Sequence, residues 1–345
     1  MFHPKYTITD QLLANITRIN ELVHEINDLR FPKLVLVEFE KYARELSAFA
    51  STSIEGNPLP LTDVKKLLKS KPEKIRDSER EVINYNNALE LLNRELDLGK
   101  IELTEKLILT IHKQVVTGLL PRHQIGKLRK HPVVVHDPKT REIVYLPPDA
   151  SRVRTLLTDL LEFVRTNEKN INPLILAGIF HKQMVIIHPF MDGNGRTTRL
   201  ATKLLLAKMG LNTFHLFSFE NYYNQNVTKY FHFVGEYGDY NELENSLEFT
   251  EWLEYFTEGL IDELLRVQKL LPTMGRSPET KLEKHHKKII DYIKKNEYIA
   301  DRDYAHLTYR AKATRTLDFQ KLIDLELIER KGKGKATYYT QKEYV

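Results

Sequence analysis

Residues 188 to 200 read HPFMDGNGRTTRL, placing one histidine, one carboxylate, an asparagine between two glycines and two arginines within thirteen positions. Such a set admits three readings: a metal-ligand cluster, a phosphate cradle, or a polar turn before a helix. One histidine and one carboxylate four residues apart are too few ligands for zinc. Gly193, Asn194 and Gly195 stand just before the apolar-periodic run RTTRLATKLLLAKM and so form the loop at a helix N-terminus. Free N–H groups and the helix dipole there favour an anion, and glycine lets a ligand approach the backbone. Arg196 and Arg199, three apart on the first turn, add guanidinium donors for phosphate. Asp192 beside bound phosphates suits Mg²⁺, which takes one or two protein oxygens together with phosphate oxygens. A nucleoside polyphosphate fits this set, and His188 at the loop's mouth is the side chain able to take a proton near neutral pH.

The elements that must hold these residues read as mainly α. Apolar residues recur at spacings of three and four through ITDQLLANITRINELVHEINDL, LVEFEKYARELSAFAS, EREVINYNNALELLNREL and TEKLILTIHKQVVTGLL. Residues 173 to 187, PLILAGIFHKQMVII, are apolar nearly all round and predict a buried central helix ending where His188 begins. One stretch departs from helix: HPVVVHDPKTREIVYLPP predicts a β-hairpin over about 131–148. LLPTMGRSPET at 270–280 has the composition of a linker. The expected regions are therefore 1–100, helical; 101–271, a core; and 280–345, a separate small unit.

HPFMDGNGRTTR resembles the signature of the Fic family, H-P-F-x-[DE]-G-N-[GK]-R-x-x-R, at all nine specified positions. A chance match is of order 10⁻¹¹ per window at residue frequencies of about one in twenty. The resemblance implies a Fic helical core with a β-hairpin flap, and transfer of AMP from ATP to a Ser, Thr or Tyr hydroxyl of a target protein. In that reading His188 is the base, Asp192 holds Mg²⁺, and Gly193, Asn194 and Gly195 form the anion hole. Arg196 holds the phosphate chain, Arg199 binds the γ-phosphate, and Phe190 is an apolar anchor. The hairpin would hold the target by strand-like pairing. NYYNQNVTKYF is similar to the family's nucleoside-pocket helix, which implies base contacts from Asn226 and Tyr230.

Residues 51 to 57, STSIEGN, fit the family's inhibitory pattern. Ser51 and Glu55 share a face of a helix expected over about 38–56, and Gly56-Asn57-Pro58 is a helix stop. Glu55 would then sit in the last turn, where its charge opposes the dipole unless a cation compensates. The resemblance names Arg199 as that cation, which makes Glu55 a brake on ATP. Removal of AMP from a modified target, transfer of another phosphate-linked group, and a nucleotide-sensing DNA-binding regulator are the alternatives that the sequence leaves open.

The net charge of +5 is uneven: from Lys281 onward there are 16 Lys and Arg against 10 Asp and Glu, which leaves the first 280 residues near −1. The order of three helices and a glycine-tipped basic hairpin resembles a winged helix. It offers Arg310, Lys312, Arg315, Lys331, Lys333 and Lys335 to DNA phosphates, while docking on another protein is the competing use. No cysteine is present, and no run is long and apolar enough for a membrane span, so the expectation is a cytoplasmic protein with no membrane partner. A homo-oligomer is allowed, with no dimer surface evident in the sequence.

Overall fold

The structure is a computed structural model that describes residues 2–28, 33–70, 72–99, 102–137, 140–207, 215, 218–274, 282–325 and 327–341. Five helices come first: α1 (Asp10–Asp28), α2 (Lys33–Ile54), α3 (Leu61–Lys69), α4 (Asp77–Asp97) and α5 (Glu105–Val116). The hairpin strands β1 (Val135–His136) and β2 (Ile143–Leu146) follow, then α6 (Val153–Asn167), α7 (Pro173–Ile187) and α8 (Asn194–Ala207). Next come α9 (Phe219–Gln225), α10 (Val227–Val234), β3 (Gly238–Asp239), α11 (Tyr240–Leu243) and the long α12 (Thr250–Met274). The chain closes with α13 (Lys284–Asn296), β4 (Tyr298–Ile299), α14 (Asp301–Leu307), α15 (Lys312–Asp324), β5 (Ile328–Lys331) and β6 (Tyr338–Gln341). The fold is mainly α, as the apolar spacing indicates.

Residues 1–29 and 43–267 form one compact unit, and residues 30–42 with 268–345 form the other. The expected N-terminal region and core therefore do not separate. Helix α2 begins at Lys33, ahead of the start near residue 38 expected for the inhibitory helix. Helix α12 continues through Pro272 to Met274, into the stretch expected as a linker, and residues 275–281 lie outside those described. The apolar stripe Leu264, Val267 and Leu271 stays buried up to that proline, so packing holds the helix where composition alone suggested a break.

The core of the first unit is built on α7. Asn172 caps it by accepting the Leu174 N–H at 2.9 Å, and Pro173 occupies the first turn, where its missing N–H costs nothing. Every residue from Leu174 to Met184 is buried, and Trp252 of α12 donates its indole N–H to the Gly178 carbonyl at 2.8 Å. A polar knot lies beside this core. Glu220 is fully buried and accepts from Tyr85 at 2.7 Å, Ser218 at 3.1 Å and Ser47 at 3.3 Å, with the Lys203 ammonium 3.1 Å away. This one carboxylate ties α2, α4, α8 and α9 together.

The hairpin holds an antiparallel pair, Val135 opposite Tyr145 and His136 opposite Ile143, with shorter strands than the sequence suggested. Pro138 and Lys139 of its turn lie outside the described residues. A third strand was not evident in the sequence: β3 pairs with β2 in parallel, Tyr145 against Gly238. In the second unit β4, β6 and β5 form an antiparallel sheet in that order, over a core of Ile289, Ile293, Ile299, Tyr304, Phe319, Leu322 and Ile328.

Removing one partner of a buried ion pair leaves an uncompensated charge and costs about 3–5 kcal/mol. Lys203→Met should lower unfolding stability by about that much in a urea titration. A loss below about 1 kcal/mol would show that the knot is not structural.

Candidate active site

Helix α7 ends at His188, whose backbone is left-handed (φ 48°, ψ 62°), a conformation that favours glycine and stores strain of order 1 kcal/mol. The turn aims the imidazole into a small cavity. The His188 Nδ1 is 3.3 Å from the Val185 carbonyl, which can only accept, so Nδ1 carries the hydrogen, and among the described residues the Nε2 lone pair has no hydrogen-bond partner. Burial pushes the imidazole down to about 4, so the ring is neutral at ordinary pH.

The loop from Pro189 to Gly193 is closed by Asn194. Its side chain accepts the Phe190 N–H at 2.8 Å and donates to the Phe190 carbonyl at 2.9 Å, so the amide is a clip, and only its backbone is left for a ligand. Gly193 has φ 79°, and a Cβ there would lie 2.7 Å from Val116. The first-turn N–H groups of Asn194, Gly195 and Arg196 have no place in the helix's own ladder, which makes the start of α8 an anion site. Asp192 is half-exposed, accepts the Gly193 N–H at 2.6 Å, and lies 3.1 Å from the Arg196 guanidinium.

Arg196 does not face the cavity. It is buried between Asp192 and Glu81 of α4, the latter at 2.5 Å, so it supports the Asp192 carboxylate from behind and does not reach a phosphate chain in this state. Glu81 also accepts from Asn57 at 2.7 Å.

Arg199 is completely buried. Its Nε donates to the Ser51 Oγ at 2.8 Å, and one Nη donates both to the Ser51 carbonyl at 2.9 Å and to the Glu55 carboxylate at 2.6 Å. Burial opposes the guanidinium charge, and Glu55 beside it more than compensates, so its pKa is raised. Helix α2 ends at Ile54, one residue before Glu55. The Asn57 N–H bonds the Thr52 carbonyl and the Gly56 N–H the Ser53 carbonyl, with Gly56 at φ 91°. This double-bonded glycine stop turns Glu55 off the helix end toward α8. The Glu55 carboxylate packs on Gly195, where a Cβ would lie 2.2 Å from it.

Glu55, His188, Asn194, Gly195, Arg199 and Tyr230 line one cavity of about 110 Å³, which the hairpin residues Val135, His136 and Tyr145 close from the other side. That volume is below the several hundred Å³ of a typical small-molecule pocket. Tyr230 sits behind Arg199: its hydroxyl is 3.5 Å from Nη1 and 3.0 Å from the His181 Nε2, and its ring stacks on Tyr223. Asn226 does not line the cavity. It caps α10 by accepting the Lys229 N–H at 3.0 Å, the local bond that a short amide makes most readily.

Two supports were not legible in the sequence. His112 of α5 stacks flat on Phe190 at 3.8 Å, accepts the Gly126 N–H on Nδ1, and so donates from Nε2 to the Asp192 carbonyl at 3.0 Å. Arg129 is the other, a buried guanidinium surrounded by carbonyl oxygens. Their partners lie 2 to 80 residues away and are mostly backbone atoms, which leave no side-chain signature. In the second unit, Arg315 is bidentate to Asp301 at 2.8 and 2.9 Å and Arg310 lies 2.8 Å from buried Asp318. These two arginines are spent inside the unit, while Lys312 and Lys333 are exposed, as is Lys331, which pairs with Glu329 at 2.9 Å. The side chain of Lys335 lies outside those described.

Residues 102–206 match the model of the Fic/DOC family. The protein adenylyltransferase Fic of Drosophila willistoni is 27% identical over 243 residues, covering 65% of this chain and 46% of that protein. The chain thus spans about half the length of the curated relatives it matches. Among solved structures, a Fic family protein from Desulfovibrio desulfuricans superposes with a TM-score of 0.65 at 22% identity, covering 100% of this chain and 99% of that one. A Fic domain containing signaling protein from Bacteroides thetaiotaomicron gives 0.60 at 18% identity, covering 79% and 100%. The signature loop, the buried arginine and the hairpin that meet at one cavity all lie within residues 102–206, the stretch similar to the Fic/DOC family.

Proposed function

We propose that this protein transfers AMP from ATP to a hydroxyl of a target protein, and that Glu55 holds the resting form inactive. The observation that carries this is one small cavity containing a neutral, oriented imidazole, the free first-turn amides of α8 and a buried arginine already occupied by a carboxylate. The match of residues 102–206 to the Fic/DOC family model and relatives named protein adenylyltransferase support the same chemistry.

In the reaction, the His188 Nε2 takes the proton of the target hydroxyl while its oxygen attacks the α-phosphorus. The bond from that phosphorus to the bridging oxygen breaks, and pyrophosphate leaves. The first-turn amides of α8 meet the charge that builds on the α-phosphate oxygens, and Arg199 meets the γ-phosphate once Glu55 has withdrawn. Asp192 suits Mg²⁺, since it is a single half-exposed carboxylate beside an anion site, and the ion when bound would neutralise phosphate charge. The target segment lies along the hairpin at about 131–148. In the resting form the Glu55 carboxylate meets Arg199 and rests on Gly195, the positions an anionic phosphate would need.

Glu55→Gly should raise self-labelling from α-labelled ATP with Mg²⁺ at least tenfold, read as a gain of one AMP by intact mass; an unchanged level would remove the brake. In the same background His188→Ala should abolish labelling, and residual labelling above one part in a hundred would assign the base elsewhere.

The base works only when unprotonated. Because the imidazole pKa is lowered to about 4, activity should be full well above that pH and fall only as pH drops through it. Initial labelling rates of Glu55→Gly between pH 4 and 8 should therefore be flat through 6.5, the ordinary histidine value. A loss centred on 6.5 would show that His188 is not held as described.

A further inference from the structure

We propose that Arg129 is a positioning residue that fixes the target-holding hairpin to the carbonyl of the base itself, an inference that rests on the AMP-transfer reading. Arg129 lies on the segment between α5 and β1 and is 3% exposed. Its Nε donates to the His188 carbonyl at 2.8 Å, and one Nη donates to the His131 carbonyl at 3.2 Å. The other Nη donates to the Pro148 carbonyl and, at 3.4 Å, to the Ile187 carbonyl. Its backbone N–H bonds the Pro189 carbonyl at 2.9 Å.

Among the described residues no carboxylate forms an ion pair with this guanidinium. A buried cation without a counter-ion is costly unless its donors are met. Here the negative end of the α7 dipole, through the carbonyls of Ile187 and His188, supplies part of the compensation, and the nearby Asp149 charge adds to it. The remaining donors go to His131 and Pro148, the two feet of the hairpin. One planar fork therefore joins both feet to the residue whose left-handed backbone aims the imidazole. Burial lowers the guanidinium pKa without removing its charge.

The consequence is geometric. A hydroxyl carried on a strand beside β1 must arrive within hydrogen-bond reach of the His188 Nε2, and misplacement by about 1 Å costs about a hundredfold in rate. Arg129 does not line the cavity, so it bears on this distance and not on the grip of ATP. A lysine keeps the charge but has no planar fork, so it cannot span the same carbonyls.

The test uses the full chain carrying Glu55→Gly, with Arg129→Ala and Arg129→Lys added separately. The readouts are self-labelling rate at saturating ATP, affinity for a fluorescent ATP analogue, and rescue by guanidinium at tens of millimolar. The expected result for Arg129→Ala is a rate about a hundredfold lower with nucleotide affinity unchanged within twofold. Guanidinium should restore part of the rate where equal sodium chloride does not, and Arg129→Lys should fall between. Labelling at the Glu55→Gly rate by both Arg129 variants overturns this proposal alone, as does a parallel loss of nucleotide affinity. If Arg129→Ala does not fold, Arg129→Lys decides by the same split between rate and affinity. Absence of labelling by Glu55→Gly itself overturns the AMP-transfer reading, and this proposal with it.

Discussion

A guanidinium with no exposed surface must have its charge and its donors met by something, and Arg199 sets that demand at the centre of the first unit. Ser51 supplies two oxygens, Glu55 the counter-charge and Tyr230 a hydroxyl, so residues from separate parts of the chain converge on one side chain. Helix α2 is brought to α8 by this need. The glycine stop at Gly56 makes the convergence possible, because it releases Glu55 from the helix axis at the right height. Without a carboxylate or an anionic ligand, the arginine would be a buried charge in a partly polar hole.

Around that centre the site uses few side chains for chemistry and many for placement. Asn194 and His112 hold the loop by its backbone, Arg196 braces Asp192, and Glu81 braces Arg196. Glu81 also holds Asn57, two residues beyond Glu55. The end of α2 and the carboxylate at the loop thus share one support on α4. The knot around Glu220 repeats the arrangement one turn further along α8, through Lys203 and Ser47.

What could be read from the sequence was what is contiguous or periodic. The thirteen residues from His188 carry their own chemistry, and the buried helix before them shows in its composition. Ser51 and Glu55 were legible because their spacing and the following Gly-Asn-Pro are local. In the sequence Arg196 looks like a phosphate contact because its partner Glu81 is 115 positions away, and no spacing rule links them. Arg310 and Arg315 read as open basic residues for the same reason, since Asp301 and Asp318 neutralise them only once α14 and α15 pack. Strands β3 and β4 are two residues each, too short for alternation to show.

The parallel pairing of β3 with β2 has one more effect. In a sheet ordered β1, β2, β3 the β2 side of the hairpin is taken, so among the described residues the edge of β1 is the one left for another chain. Backbone groups there are the same whatever side chains flank them, and successive side chains of an added strand face opposite ways. An incoming segment would therefore be measured by its register against two residues, Val135 and His136, much as a ruler reads position without regard to what is being measured.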